Sequence, residues 1–207
     1  MLDTLIANLH LSESESIPPA IVLLPSTNQN YSMQAVVRAL LSSTPLEVTV
    51  SFNNAVRTRL MKSAKASEVP EPEIIFINTD STTNIWMPSE QLREVLRRAR
   101  VLYGAGLGLQ SLKILTAVVI GATRPGWVPD DDVEDFLAVI DADICQAIVS
   151  SKQEIDAGRT VRQVAAGVRQ ALVEALEGCK AAMQEVFPFE RAYMDAKGWQ
   201  TEHTLGW

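Results

Sequence analysis

Apolar positions recur along the chain in short bursts whose spacing changes from one segment to the next. Residues 2–11 set Leu2, Leu5, Ile6 and Leu9 on one helical face. Polar residues 12–16 and Pro18-Pro19 form a linker, and the unbroken apolar run 20–24 ends at Pro25. Such a run suits a strand covered on both faces. Met33, Val36, Val37, Leu40 and Leu41 have helical spacing, and Pro45 stops them. Leu46, Val48, Val50 and Phe52 then alternate with Glu47, Thr49 and Ser51, the period-two pattern of a strand. Residues 54–66 are helical again, with Val56, Leu60, Met61 and Ala64. Residues 73–77 predict a third strand of the buried type. Residues 88–102 predict a helix carrying Leu92, Val95, Leu96, Ala99 and Leu102 on one face, with Glu94 and Arg98 as an i,i+4 pair. Residues 117–120 fit a fourth strand or the end of a helix from near Leu109. The β-branched run before Gly121 favours the strand.

Strand and helix thus alternate through the first part of the chain. That order predicts an α/β, Rossmann-like fold: a mostly parallel sheet of three to four strands with helices on both faces. Beyond the turn at residues 125–129 the pattern is helical only. Residues 133–157 carry Val133, Phe136, Leu137, Ile140, Ile144, Ile148 and Ile155, with Gly158 as the helix stop. Thr160 and Gln163 make a capping-box pattern, and the following helix runs to about Phe187 before Pro188. Two long helices joined this closely predict an antiparallel hairpin. Gly167, Ala171, Ala175, Gly178 and Ala182 add a stripe of small residues to the second helix. The expected organisation is an α/β domain over residues 1–128 with a helical hairpin and aromatic tail over 129–207, the two able to pack as one.

Charge follows the same division. The chain of 207 residues has a net charge of −7. Residues 1–128 hold 11 basic and 10 acidic side chains, whereas residues 129–207 hold 7 and 15. The acidic balance disfavours non-specific nucleic-acid binding, which draws on surplus positive charge. The N-terminus lacks the basic flank and long apolar run of a secretory signal, so the expected location is cytoplasmic. Residues 101–123 are nearly uncharged, but Lys113, Gln110 and four glycines argue against a membrane span. Cys145 and Cys179 lie within helices and have no metal-ligand spacing, and His10 and His203 lie near opposite ends. No metal is expected, and no cofactor is named by these residues.

The candidate chemistry comes from position. In a parallel sheet, ligands bind beyond the carboxyl ends of the strands. Those ends would present Ser26, Thr27, Asn28, Asn30 and Ser32, then Asn53 and Asn54, then Asn78, Thr79 and Asp80, and finally Arg124. Asp80 is the candidate acid or base. The others are candidate ligand contacts for a small molecule, with helix N-termini nearby to receive an anionic or phosphate-bearing group. Gly104-Ala105-Gly106-Leu107-Gly108 has the look of a phosphate loop but lacks both the dinucleotide spacing and the Walker lysine, so it reads as the end of a helix. Asp131-Asp132-Val133-Glu134-Asp135 resembles the D-D-x-x-D of prenyl-diphosphate enzymes, yet also fits an acidic first helical turn. Arg93, Arg97 and Arg100 share a helical face, as do Arg59, Lys62 and Lys65. The rival reading is an assembly protein that forms homo-oligomers through helices 133–157 and 161–187. Its contact surface would be the small-residue stripe with Met183, Phe187, Phe189, Tyr193 and Trp199.

Overall fold

In the computed structural model, residues 29–63, 68–71, 76–80, 85–123, 131–183 and 187–200 are described. They form seven helices and two short strands: α1 Gln29–Ser43, α2 Leu46–Lys62, β1 Phe76–Asp80, β2 Ile85–Pro88, α3 Glu90–Gly104, α4 Gly108–Ala122, α5 Asp131–Asp156, α6 Arg162–Met183 and α7 Glu190–Gly198. The parallel, Rossmann-like α/β sheet expected from the sequence is absent among them. β1 and β2 pair antiparallel, with Phe76 opposite Pro88 and an irregularity between Asn78 and Asp80. Of the strand expected at residues 73–77, Phe76 and Ile77 open β1, and residues 73–75 lie outside the described residues. The helix at 2–11 and the strand at 20–24 lie outside the described residues.

Two other expected strands are helices. Residues 46–52 open α2. Their alternation also contains two i,i+4 pairs, Leu46 with Val50 and Val48 with Phe52, which is equally a helical spacing. The ends decide between them. The Pro45 carbonyl accepts from the Val48 and Thr49 amides. Glu47 lies in the first turn, and Arg59 and Lys62 lie in the last, each charge complementing the helix dipole. No described strand lies beside this segment to pair with it. Residues 117–120 belong to α4. Twelve of its fifteen residues are buried, so its apolar positions run all the way round and show no helical period.

The chain divides into two units, Met1–Val50 and Ser51–Trp207. In the first, α1 turns into the start of α2. The Thr49 hydroxyl donates to the Leu41 carbonyl at 3.3 Å, and the Thr44 and Thr49 hydroxyls meet at 3.3 Å.

In the second unit α4 is the centre. α3, α5 and α6 all pack on it, while α5 and α6 make few contacts with each other. The predicted antiparallel hairpin is therefore not a packed pair, because α4 takes the apolar stripe of each helix. One cluster holds Leu92, Leu96 and Leu102 of α3, Leu112, Ile114, Leu115 and Val118 of α4, Ile140, Ile144 and Ile148 of α5, and Leu172 and Leu176 of α6. This cluster runs across residue 128. α6 is described as far as Met183, residues 184–186 lie outside the described residues, and Phe187, expected at its end, lies outside the helix. Phe187, Phe189 and Trp199, expected on a contact surface, are buried in the same cluster. They seat the short helix α7, which packs on α5 and α6.

α4 approaches α5 most closely at its first residue. A Cβ on Gly108 would lie 2.3 Å from the Ser151 backbone nitrogen and 2.7 Å from the Ser150 carbonyl carbon. Only a glycine lets the two backbones come so near. The glycines of the small-residue stripe differ, since a Cβ on Gly167 or Gly178 would meet nothing within 4 Å.

Candidate functional site

α5 supplies three buried carboxylates, and each serves a different helix. Asp143 receives the Arg100 guanidinium of α3, with Nε at 3.0 Å and Nη2 at 2.8 Å, and the Tyr103 hydroxyl at 2.9 Å. Glu154 accepts from the Leu109 amide in the first turn of α4 at 3.2 Å. Asp141 accepts from the Ala192 amide in the first turn of α7 at 2.9 Å. The residues at the N-caps of α4 and α7 are Leu107 and Phe189, neither of which caps with its side chain. The free amide donors of a helix start need an acceptor when buried, and here it comes from another helix. Part of the acidity of residues 129–207 is thus structural. Burial pushes the Asp141 carboxyl above its ordinary range, opposed by the Ala192 amide hydrogen bond.

The glycine-rich loop joins α3 to α4. The Leu107 amide donates to the Leu102 carbonyl at 2.9 Å and the Gly106 amide to Tyr103 at 3.0 Å, with φ +76° at Gly106. This is a helix C-cap that needs a left-handed residue. The loop thus ends α3, as the sequence reading expects, and the Glu154 carboxylate meets the first turn of α4.

The arginines that share a face of α3 each lie within ion-pair distance of a carboxylate. Arg93 lies 3.9 Å from Glu90, Arg97 forks onto Glu94 at 2.7 Å, and Arg100 holds Asp143. Glu94 pairs with Arg97 rather than with Arg98, whose Nη2 donates instead to the Glu68 carbonyl.

Of the residues expected at a ligand edge, Ser26, Thr27, Asn28 and Arg124 lie outside the described residues. Asn30 and Ser32 fall in α1, and Asn53 and Asn54 fall within α2 rather than after a strand. Asn78, Thr79 and Asp80 fall in β1, with Asn78 opposite Trp86 and Asp80 opposite Ile85. The edge that was to gather them depends on a parallel sheet, and the described residues have none. One of them does take part in a polar arrangement. The Asn54 Oδ1 accepts from Arg57 Nη1 at 3.0 Å, and Arg57 Nε donates to the Ala105 carbonyl at 2.7 Å. The pairing of Arg57 with the glycine loop is separated by 48 residues, and no local pattern announces it.

A cleft of about 230 Å³ opens where α5 ends and α6 begins, lined by Lys152, Ile155, Asp156, Arg162, Gly198, Trp199 and Gln200. No helix of the described residues is long and apolar enough to cross a membrane.

Both thiols are buried. Burial, with Asp141 and Asp195 nearby, pushes Cys145 up to about 12, and burial pushes Cys179 up to about 11. Burial and the Asp143 carboxylate push Tyr103 up to about 12. All three hold their protons longer in the folded chain than in the unfolded one. Between the ordinary values, 9.0 for the thiols and 10.0 for the phenol, and these raised ones, the folded state binds more protons. Stability then falls as pH rises from about 9 toward 12. Urea midpoints across that range should decline steadily, and the native thiols should resist a thiol reagent at pH 8 until the chain unfolds. Rapid labelling of native protein would show that the burial is wrong.

Comparison with known protein families, with characterised proteins and with solved structures finds no match.

Proposed function

We propose that the protein works by association, pairing with a second copy of itself through the helical segment of residues 29–50. One observation carries the reading. Within that segment Val36, Val37, Leu40, Leu46, Val48 and Val50 are all exposed, Leu46 by 76%. None of its described side chains is buried. An isolated helical pair gains little from backbone propensity, and most helical stability comes from covering an apolar face. Six exposed apolar side chains on two short helices amount to a contiguous stretch of surface that association would cover.

Charge points to a second copy as the occupant. Arg38 and Glu47 are the only charged residues in 29–50, so two such segments meet without net repulsion in a chain of net charge −7. This places the assembly surface on residues 29–50 rather than on helices 133–157 and 161–187, many of whose apolar side chains pack in the core cluster. A cytoplasmic location remains part of the same proposal.

Val50→Asp and Leu46→Asp test it, since both positions are exposed and the changes spare the core. Covering one such side chain contributes about 1.5–3 kcal/mol. Each charge should therefore weaken self-association by about tenfold to a hundredfold. Sedimentation velocity across a concentration series reads this directly. A wild-type chain that stays monomeric throughout, or a dimer untouched by both substitutions, contradicts the proposal.

A further inference from the structure

The geometry points to an oxyanion-binding site at the carboxyl end of α5, formed by Arg57 and Arg159 over Gly106. Its ligand class is a small molecule bearing phosphate groups. Arg57 Nε and Nη2 both lie 3.3 Å from the point where a Cβ would stand on Gly106, and Arg159 Nη2 lies 3.4 Å from the same point. Two guanidinium groups thus converge on one spot from α2 and from the turn after α5. Like charges are not brought together without something to offset them.

The offsets that are visible are neutral. Arg57 donates to the Ala105 carbonyl and the Asn54 amide oxygen, and Arg159 donates to the Gln153 carbonyl at 3.4 Å. Among the described residues, no carboxylate lies within ion-pair distance of either. Three of the four guanidinium groups of α3 differ from them, since Arg93, Arg97 and Arg100 each have one, while Arg98 donates to the Glu68 carbonyl. The ends of α3 and α5 supply roughly half a negative charge each. That offsets only part of two full positive charges. Each guanidinium also offers five N–H donors, and the bonds above use two on Arg57 and one on Arg159.

Further cations lie close to Arg159 along the chain. Lys152 and Arg162, on either side of Arg159 in the chain, line the cleft at the turn between α5 and α6. Asp156 is the one acidic residue among its lining side chains. A chain of net charge −7 therefore gathers cations at one end of its most acidic helix. Arginine forks match the planar oxygen pairs of phosphate.

Inorganic pyrophosphate is the probe, titrated into the full chain by calorimetry at fixed ionic strength, with sulfate for comparison. Saturable binding is expected, weakened at least tenfold by Arg57→Gln and by Arg159→Gln, with both variants shown to be folded by circular dichroism. Arg93→Gln, on an exposed residue of α3, should leave binding unchanged. Absence of saturable binding, equal binding by all variants, or equal loss in R93Q would each overturn the assignment.

Discussion

Gly108→Ala is expected to unseat α4 from α5. The added methyl would meet the backbone of Ser150 and Ser151 at 2.3–2.7 Å, and it would also press on the Ser151 hydroxyl at 2.6 Å. A side-chain tip could swing aside, but a helix backbone cannot move alone. Either α4 shifts outward or α5 bends, and both open the cluster around Leu112, Ile114, Ile144 and Ile148. Overpacking of this kind costs about 3 kcal/mol or more. For a unit of this size the melting temperature should fall by about 10 °C. Gly104→Ala is the matched control. It lies in the same loop region, a Cβ there meets nothing within 4 Å, and its φ is not in the left-handed range. Alanine should be tolerated there, or gain up to about 1 kcal/mol from helix propensity. Equal losses in the two variants would mean that the close approach at Gly108 is not a constraint.

The second large effect is expected at Arg100. Its guanidinium is about half exposed, whereas the Asp143 side chain is 8% exposed. Arg100→Met removes the cation and leaves a buried carboxylate with only the Tyr103 hydroxyl. Breaking a buried pair from one side costs about 3–5 kcal/mol, and the exposure of Arg100 lowers the expected loss to about 2 kcal/mol. Replacing both partners should cost less than replacing one, since Arg100→Met with Asp143→Leu leaves no charge stranded. Urea unfolding of the two variants checks the order of stability. If the double variant is the weaker of the two, the penalty does not come from the orphaned carboxylate.

These two sites show what the sequence carried and what it hid. The helices at 88–102 and 133–157 were legible because each has one apolar face and a clear start or stop. Ser89 caps the former, its Oγ accepting from the Leu92 amide at 3.2 Å, and Gly158 ends the latter with φ +66°. α4 was hidden by its own burial. A helix buried at twelve of its fifteen residues has too narrow a polar face to set its period, so Ala117, Val118, Val119 and Ile120 read as a strand. Residues 46–52 misled for the opposite reason. Their apolar side chains are exposed, so no burial selects a face, and the alternation carries no information about pairing. Both errors push toward a sheet, and together they produced the parallel α/β expectation.

The candidate site was illegible on physical grounds. Its members were chosen as strand ends, and two of those strands, at 46–52 and 117–120, are helices. Among the described side chains, Asn54 takes a polar role, as an acceptor for Arg57. The loop at Gly104–Gly108 was correctly read as a helix stop, yet nothing local indicates that Arg57 and Arg159 reach it. Nor does any local pattern show that Asp141 and Glu154 close helices other than their own. The acidic excess of residues 129–207 was visible as a sum, and only the packing shows that three of those charges are tied to α3, α4 and α7.

The central claim is that α4 is the buried axis around which the other helices of its unit are arranged. Native-state hydrogen exchange tests it most directly, because amide protection follows the free energy of local opening. The amides of residues 112–119 should be the slowest in the chain, and those of residues 46–62 should exchange much faster. Slow exchange through 46–52 with rapid exchange through 112–119 would contradict the claim.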